Sequence, residues 1–252
     1  MFKNRLTVQI IRAFRQNLLP ENYPDTIREM VAVLVWMLST YAFYLVLKES
    51  FPRLTELFSA NLVVIVSSYF IVDGLIYSLL YRNLHELSQQ ISSAKIDYII
   101  LLPTNFQTYT SFRRIQMSSS IQLPIALILV FFLFKPTFFE SILWLGSLIL
   151  GFVIAYFFWY FLSLIAFWLK VDDKVSIFFE ELSLVGLFPL QPFLSLNVIW
   201  FFFPFLSLAS FSAYGLIYHS LYPAILIQLA LIFVLYFLCR FVESSGLRHY
   251  RS

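Results

Sequence analysis

"FESILWLGSLILGFVIAYFFWYFLSLIAFWL", residues 139–169, decides the fold. After Glu140 the run carries no charged residue. As a helix its 31 residues rise about 46 Å at about 1.5 Å each. The hydrocarbon core of a bilayer is only about 30 Å thick, so this helix spans a membrane and must tilt or protrude. Composition agrees: the 252 residues are 60% hydrophobic and 12% charged, with 30 Phe and 15 Tyr. A soluble domain is about 45–50% apolar and about 25% charged.

Five further apolar runs qualify as spans, at about 30–47, 61–81, 119–134, 197–218 and 222–241. The sequence therefore predicts an all-α integral membrane protein with six transmembrane helices, forming a single transmembrane domain over 1–252. Residues 1–29 precede the first span. Phe2, Leu6, Ile10, Phe14 and Leu18 form a stripe, with Lys3, Arg5, Arg12 and Arg15 off it. A basic amphipathic helix of this kind lies in the headgroup plane, and the spans that follow argue against a nucleic-acid arm. "LPENYP" (19–24) breaks it. In "VSIFFEELSLVGLFPLQPFL" (175–194), Glu180 and Glu181 would each cost about 2.5 kcal/mol or more at the bilayer centre. That segment reads as an interfacial helix, not a seventh span.

Lys and Arg set the orientation. With the N-terminus in the cytoplasm, inside segments hold fourteen of the 17 basic residues, and outside loops hold only Lys48, Arg53 and Lys135. The asymmetry predicts cytoplasmic N- and C-termini. It also puts the longest inside loop, 82–118, on the cytoplasmic face.

Catalytic signals are sparse. No G-x-x-x-x-G-K-[ST] or H-E-x-x-H pattern occurs, and His85, His219 and His249 are scattered, so neither a nucleotide site nor a metal site is expected. The single cysteine, Cys239, allows no intrachain disulfide. The "EEL" at 180–182 lacks the His or Arg partners that a membrane protease would need. Asp73 lies near the middle of the second span, where a carboxylate is by default a functional candidate. The alternative is a bundle-facing hydrogen bond to Ser67, Ser68 or a Tyr. Pro204 sits inside the fifth span; it removes one helical hydrogen bond and is expected to face the bundle.

"KIDYIILLPTN" (95–105) is too short to cross a bilayer. Before it, Leu84, Leu87 and Ile91 have helical spacing. Together with "WFFFPFLSLASFSAY" (200–214) and "SSGLRHYRS" (244–252), it resembles the motifs of ABC transporter permeases of the ABC-2 type, in the branch called ABC-2 family transporter protein. That branch carries an "LDxLLLRPLNP"-like motif after the second span, which "IDYIILLPTN" matches without the Arg. "LFPLQPF" (187–193) matches a "FPxxxYP"-like stretch, Pro204 the first Pro of a third motif, and "GLRHYRS" (246–252) the C-terminal one.

The resemblance implies the membrane-spanning half of an exporter in the bacterial inner membrane. A second permease subunit, identical or a sister chain, would face it. ATP and Mg would be bound by a separate ABC ATPase, with no cofactor and no nucleic acid on this chain. It further implies a cytoplasmic coupling helix between spans 2 and 3 that docks into the ATPase. That helix would use Leu84, Leu87, Ile91, Lys95, Ile96, Asp97, Tyr98, Ile99, Leu101 and Pro103. A non-transport scaffold or a membrane-embedded enzyme is the alternative, and a channel or secondary carrier a weaker one.

Overall fold

The computed structural model describes residues 23–50, 62–101, 105–111, 113–169 and 209–251, with positions 177, 178, 181 and 184. The described residues are helices, turns and short connections, with no strand. In chain order these are α1 (Tyr23–Ser50), α2 (Leu62–Leu79), α3 (Tyr81–Ser92), α4 (Asp97–Ile100), α5 (Phe106–Ser111), α6 (Gln122–Leu133), α7 (Phe138–Leu164), α8 (209–217) and α9 (Leu221–Arg251). Short 3-10 turns, Ser118–Ile121 and Ile165–Phe167, lead into α6 and out of α7.

Four of these helices are long and apolar enough to cross a membrane: Pro24–Val46, Leu62–Leu79, Phe138–Phe167 and Leu221–Tyr250. Ser118–Leu133 is apolar but shorter. The protein is thus an all-helical, multi-pass membrane protein. The amphipathic helix expected at 1–20, Pro103, Pro204 and most of 175–194 lie outside the described residues. Two helices run beyond the apolar runs of the sequence. Residues 23–29, which precede the run at 30–47, are continuous with it in α1: Pro24 falls in the first turn, where a missing N–H is harmless, and Asp25 pairs with Arg28 at 2.7 Å. The last helix continues beyond Phe241 to Arg251.

α2 is the hub: 72% of its span is buried, against 11% for α1 and 17% for α9. The outer helices are largely exposed on this single chain, and within the bundle each buried polar group needs a protein partner. Those partners fix helix register. Tyr41 bonds Ser67 at 2.6 Å, and Trp144 Nε1 donates to Ser68 Oγ at 3.1 Å. Between α7, α8 and α9, Ser147 Oγ donates to Gln228 Oε1 at 2.7 Å, and Gln228 Nε2 donates to Ser212 Oγ at 3.4 Å. Ser147 has one proton and has spent it, so Ser212 donates the 2.7 Å bond back to Ser147. The three side chains, all fully buried, close a ring of hydrogen bonds.

Contacts between distant segments sort the two ends of the bundle. At one end, Tyr250 OH donates to Asp97 Oδ1 at 2.9 Å, so the C-terminal helix meets the 82–118 segment. At the other, His219 reaches Glu140. Glu140 also forms a reciprocal cap with Thr137 at the start of α7. Asp97 and Tyr250 thus lie at one end of the bundle, and Glu140 and His219 at the other.

Candidate functional site

The described residues of the 82–118 segment form a platform at the first of these ends. α3 is amphipathic, and its apolar residues Leu84, Leu87 and Ile91 are buried. They are backed by the end of α7, where Ser163 Oγ donates to the Leu84 carbonyl at 3.3 Å and Trp159 meets Tyr81 edge to face at 5.7 Å. α3 ends at Ala94, whose φ of 54° is left-handed. Lys95 N donates to Gln90 O at 2.8 Å and Ala94 N to Ile91 O at 3.1 Å, the paired bonds of a Schellman stop. That stop more often uses Gly, which has no Cβ penalty there.

The chain then turns into the single-turn helix α4. Ile96 and Ile99 point inward and are buried. Tyr98 and Leu101 point outward, 48% and 83% exposed, and Lys95 and Asp97 are exposed beside them.

The return leg is tied down by polar side chains. Asn83 binds Arg114 through both main-chain groups: its Nδ2 donates to the carbonyl at 2.7 Å and its Oδ1 accepts from the N–H at 2.8 Å. Glu86 pairs with Arg113 and Arg114 and lies 3.6 Å from Arg82. Arg113 also donates to Tyr98 OH at 3.1 Å. Burial alone would lower the pKa of Arg113, but the Glu86 carboxylate and the Tyr98 hydroxyl together outweigh it and raise the pKa, so the guanidinium stays charged. Ser111 bonds Tyr156 on α7 at 2.9 Å.

The C-terminal helix completes the platform. Tyr250 holds Asp97, Phe167 packs edge-on to Tyr250 with ring centroids 6.2 Å apart, and His249 stacks on Trp168. Gly246 lets α9 approach closely: a Cβ there would sit 2.4 Å from the Phe167 ring.

The platform sorts the residues that the sequence assigned to docking. Leu84, Leu87, Ile91, Ile96 and Ile99 are buried in this chain's own core. Lys95, Asp97, Tyr98 and Leu101 are the outward set, and Pro103 lies outside the described residues. The sequence reading missed Asn83, Glu86, Arg113 and Arg114. It also missed Tyr250, although Tyr250 sits in the quoted "GLRHYRS".

The second site centres on α2, one of the helices long and apolar enough to span a membrane. Asp73 is buried, and Gln122 Nε2 donates to its Oδ2 at 3.0 Å. Ser67 bonds Tyr41, and Ser68 accepts from Trp144. Gly74 permits the Gln122 contact, since a Cβ there would stand 2.8 Å from Gln122 Cγ. A cavity of about 300 Å³ adjoins the pair, lined by Trp36, Tyr69, Asp73, Tyr77, Gln122 and Glu181 among others. Among the described residues no group of three or more His, Cys, Asp or Glu could hold a metal.

No curated protein and no solved structure matches this chain. A family profile does match, from residue 34 in α1 to residue 252, so it spans the hub helix, the platform, the Asp73 site and the C-terminal helix. Both candidate sites thus lie within the matched region, and this chain belongs to the family described as ABC-2 family transporter protein.

Proposed function

We propose that this chain is the permease subunit of an ATP-driven ABC exporter, forming the translocation path with a second permease subunit. A separate ATPase, holding ATP and Mg²⁺, docks on the platform. Family membership supports the membrane role and an ATPase partner in general terms. The observation that carries the docking reading is α4. It and its C-cap hold the large side chains Tyr98 and Leu101 outward on a platform whose leucines and isoleucines at 84, 87, 91, 96 and 99 are already buried. The chain crosses the membrane six times in this reading, with α6 within the third crossing (119–134), α8 within the fifth (197–218), and both termini cytoplasmic.

Purification of the tagged chain from its native membrane in mild detergent tests the partnership. A stoichiometric subunit with a P-loop should accompany it, and the complex should hydrolyse Mg-ATP. Recovery of the chain without any P-loop protein and without hydrolysis would overturn the proposal.

Topology has its own test. In a Cys239→Ser background, which keeps a donor for the Phe157 carbonyl now bonded by Sγ, Ser93→Cys should react with a membrane-impermeant maleimide only from the cytoplasmic side. Ser220→Cys should react only from outside. Both positions are exposed. Labelling of both from one side would break the six-crossing reading.

A further inference from the structure

The outward helix α4 is too short to hold its own pose. It has four residues, Asp97–Ile100, and a single helical turn closes too few hydrogen bonds to be stable alone. Side chains fix it instead, from two directions. On one side Tyr98 OH accepts from Arg113, which pairs with Glu86 on α3, and α3 continues from α2 through the backbone bonds of Leu80 and Leu84. On the other side Asp97 Oδ1 accepts from Tyr250 OH at 2.9 Å, across 153 positions of chain. This second tie leads to the far end of the molecule. α9 runs as one helix from Leu221 to Arg251, so Tyr250 stands about 44 Å from Leu221 at about 1.5 Å per residue. Along that length α9 is joined to α7: Ser147 donates to Gln228, the Cys239 thiol to the Phe157 carbonyl at 3.1 Å, and Tyr160 OH to Glu243 at 3.2 Å.

At the tie itself the packing is open. A recess of about 350 Å³ is lined by Asp97, Ile100 and Leu101 from α4 and its C-cap and by Tyr250 from α9, among the described residues. A hydrogen bond across such a recess passes on a displacement that loose packing would absorb. The Tyr250 ring is itself held edge-on by Phe167, so its hydroxyl follows α9 and not a freely turning side chain. We propose that Tyr250 is a positioning residue for energy coupling: its hydroxyl holds α4 to α9, so that a movement of the docked ATPase at Tyr98 and Leu101 is carried along the C-terminal helix to the opposite end of the bundle. The proposal rests on the docking reading given above. It assigns the transmission to one side chain outside the 82–118 segment.

Coupling is a response at one place to a ligand at another, and the test measures that response. The chain is purified with its ATPase into nanodiscs, in the Cys239→Ser background with Ser220→Cys as reporter. Position 220 is exposed and immediately precedes α9 at the end away from Tyr250. Maleimide labelling of the reporter is timed without nucleotide and with Mg-ATP and vanadate, and the change is expressed per ATPase bound. In this parent complex the rate should change at least threefold. Tyr250→Phe removes the hydroxyl and keeps the ring against Phe167. It should retain the ATPase within twofold in a pull-down and yet lose most of the nucleotide-dependent change. Asp97→Ala removes the acceptor, and per ATPase bound it should lose the change as well. A full response in Tyr250→Phe, or no response at position 220 in the parent complex, would overturn the proposal and leave the docking reading in place. So would a Tyr250→Phe chain that loses melting temperature and ATPase together, since its tyrosine would then be structural. A parent chain that retains no ATPase would overturn the docking reading, and the proposal with it.

Discussion

Leu101→Asp is expected to release the ATPase while the permease stays folded, and Leu87→Asp to prevent folding. The two leucines lie fourteen positions apart in one cytoplasmic segment, but Leu101 is 83% exposed and Leu87 is 1% exposed. Burial of a leucine against a partner contributes about 1.5–3 kcal/mol, partly offset by the ordering that association requires. A charge buried there without a partner adds a further desolvation penalty of about 1–3 kcal/mol. Each 1.4 kcal/mol is about tenfold in affinity, so docking should weaken by about a hundredfold or more. At Leu87 the same change strikes the core between α3 and α7. Truncation of a buried leucine alone costs about 2–5 kcal/mol, and the charge adds to it. The comparison is made at equal membrane levels, by ATPase pull-down, stimulated hydrolysis and thermal melting of the purified permease. Equal ATPase recovery with Leu101→Asp would remove α4 from the interface. A normally folded Leu87→Asp protein would contradict the burial of α3.

Much of this architecture was legible because the bilayer imposes a length rule. The long run at 139–169 reads directly as an oversized span, and the structure has it as α7 with its 3-10 extension. The same excess length explains what the sequence could not decide. An amphipathic α3 has one apolar face with two possible takers, its own bundle or a partner chain. Spacing alone does not choose between them. The buried end of α7, with Trp159 and Ser163 against α3, offers the nearer wall, so Leu84, Leu87 and Ile91 turn inward. Only residues that α3 and α4 cannot turn toward that wall, such as Tyr98 and Leu101, remain for a partner.

The ion-pair cluster on Glu86 joins residues about thirty positions apart, and the Asp73–Gln122 bond joins residues 49 apart. Neither leaves a local pattern. Asp73 was identifiable because a carboxylate is rare in a span. Gln122 was not, because a single amide near the edge of an apolar run is ordinary. Tyr250 was quoted within a motif, but its tie to Asp97 depends on α9 continuing as a helix to Arg251, and an apolar-run criterion ends that helix near Phe241.

Gly246→Val is expected to loosen the platform from the C-terminal helix, and Gly246→Ala to do so more mildly. Two terms of opposite sign compete. Replacing a helical glycine with alanine favours the helix by about 1 kcal/mol. Against this, the new Cβ would lie 2.4 Å from Phe167 Cδ2 and 2.8 Å from Cγ. Overpacking of this kind costs about 1–3 kcal/mol. Phe167 has little room to yield, since it is 9% exposed and has Trp168 and Tyr250 edge-on around it. The clash therefore wins, by about 1 kcal/mol for alanine. Valine adds two more carbons and recovers less helix propensity, so its loss should reach about 3 kcal/mol. A shift of α9 away from Phe167 also carries Tyr250 away from Asp97, so ATP hydrolysis coupled to the permease should fall with the melting temperature. Phe167→Leu combined with Gly246→Ala should restore most of both, because the smaller side chain vacates the space that the Cβ needs. A melting temperature raised by Gly246→Ala alone would show that the ring moves aside freely, and the close approach of α9 would then have no structural consequence.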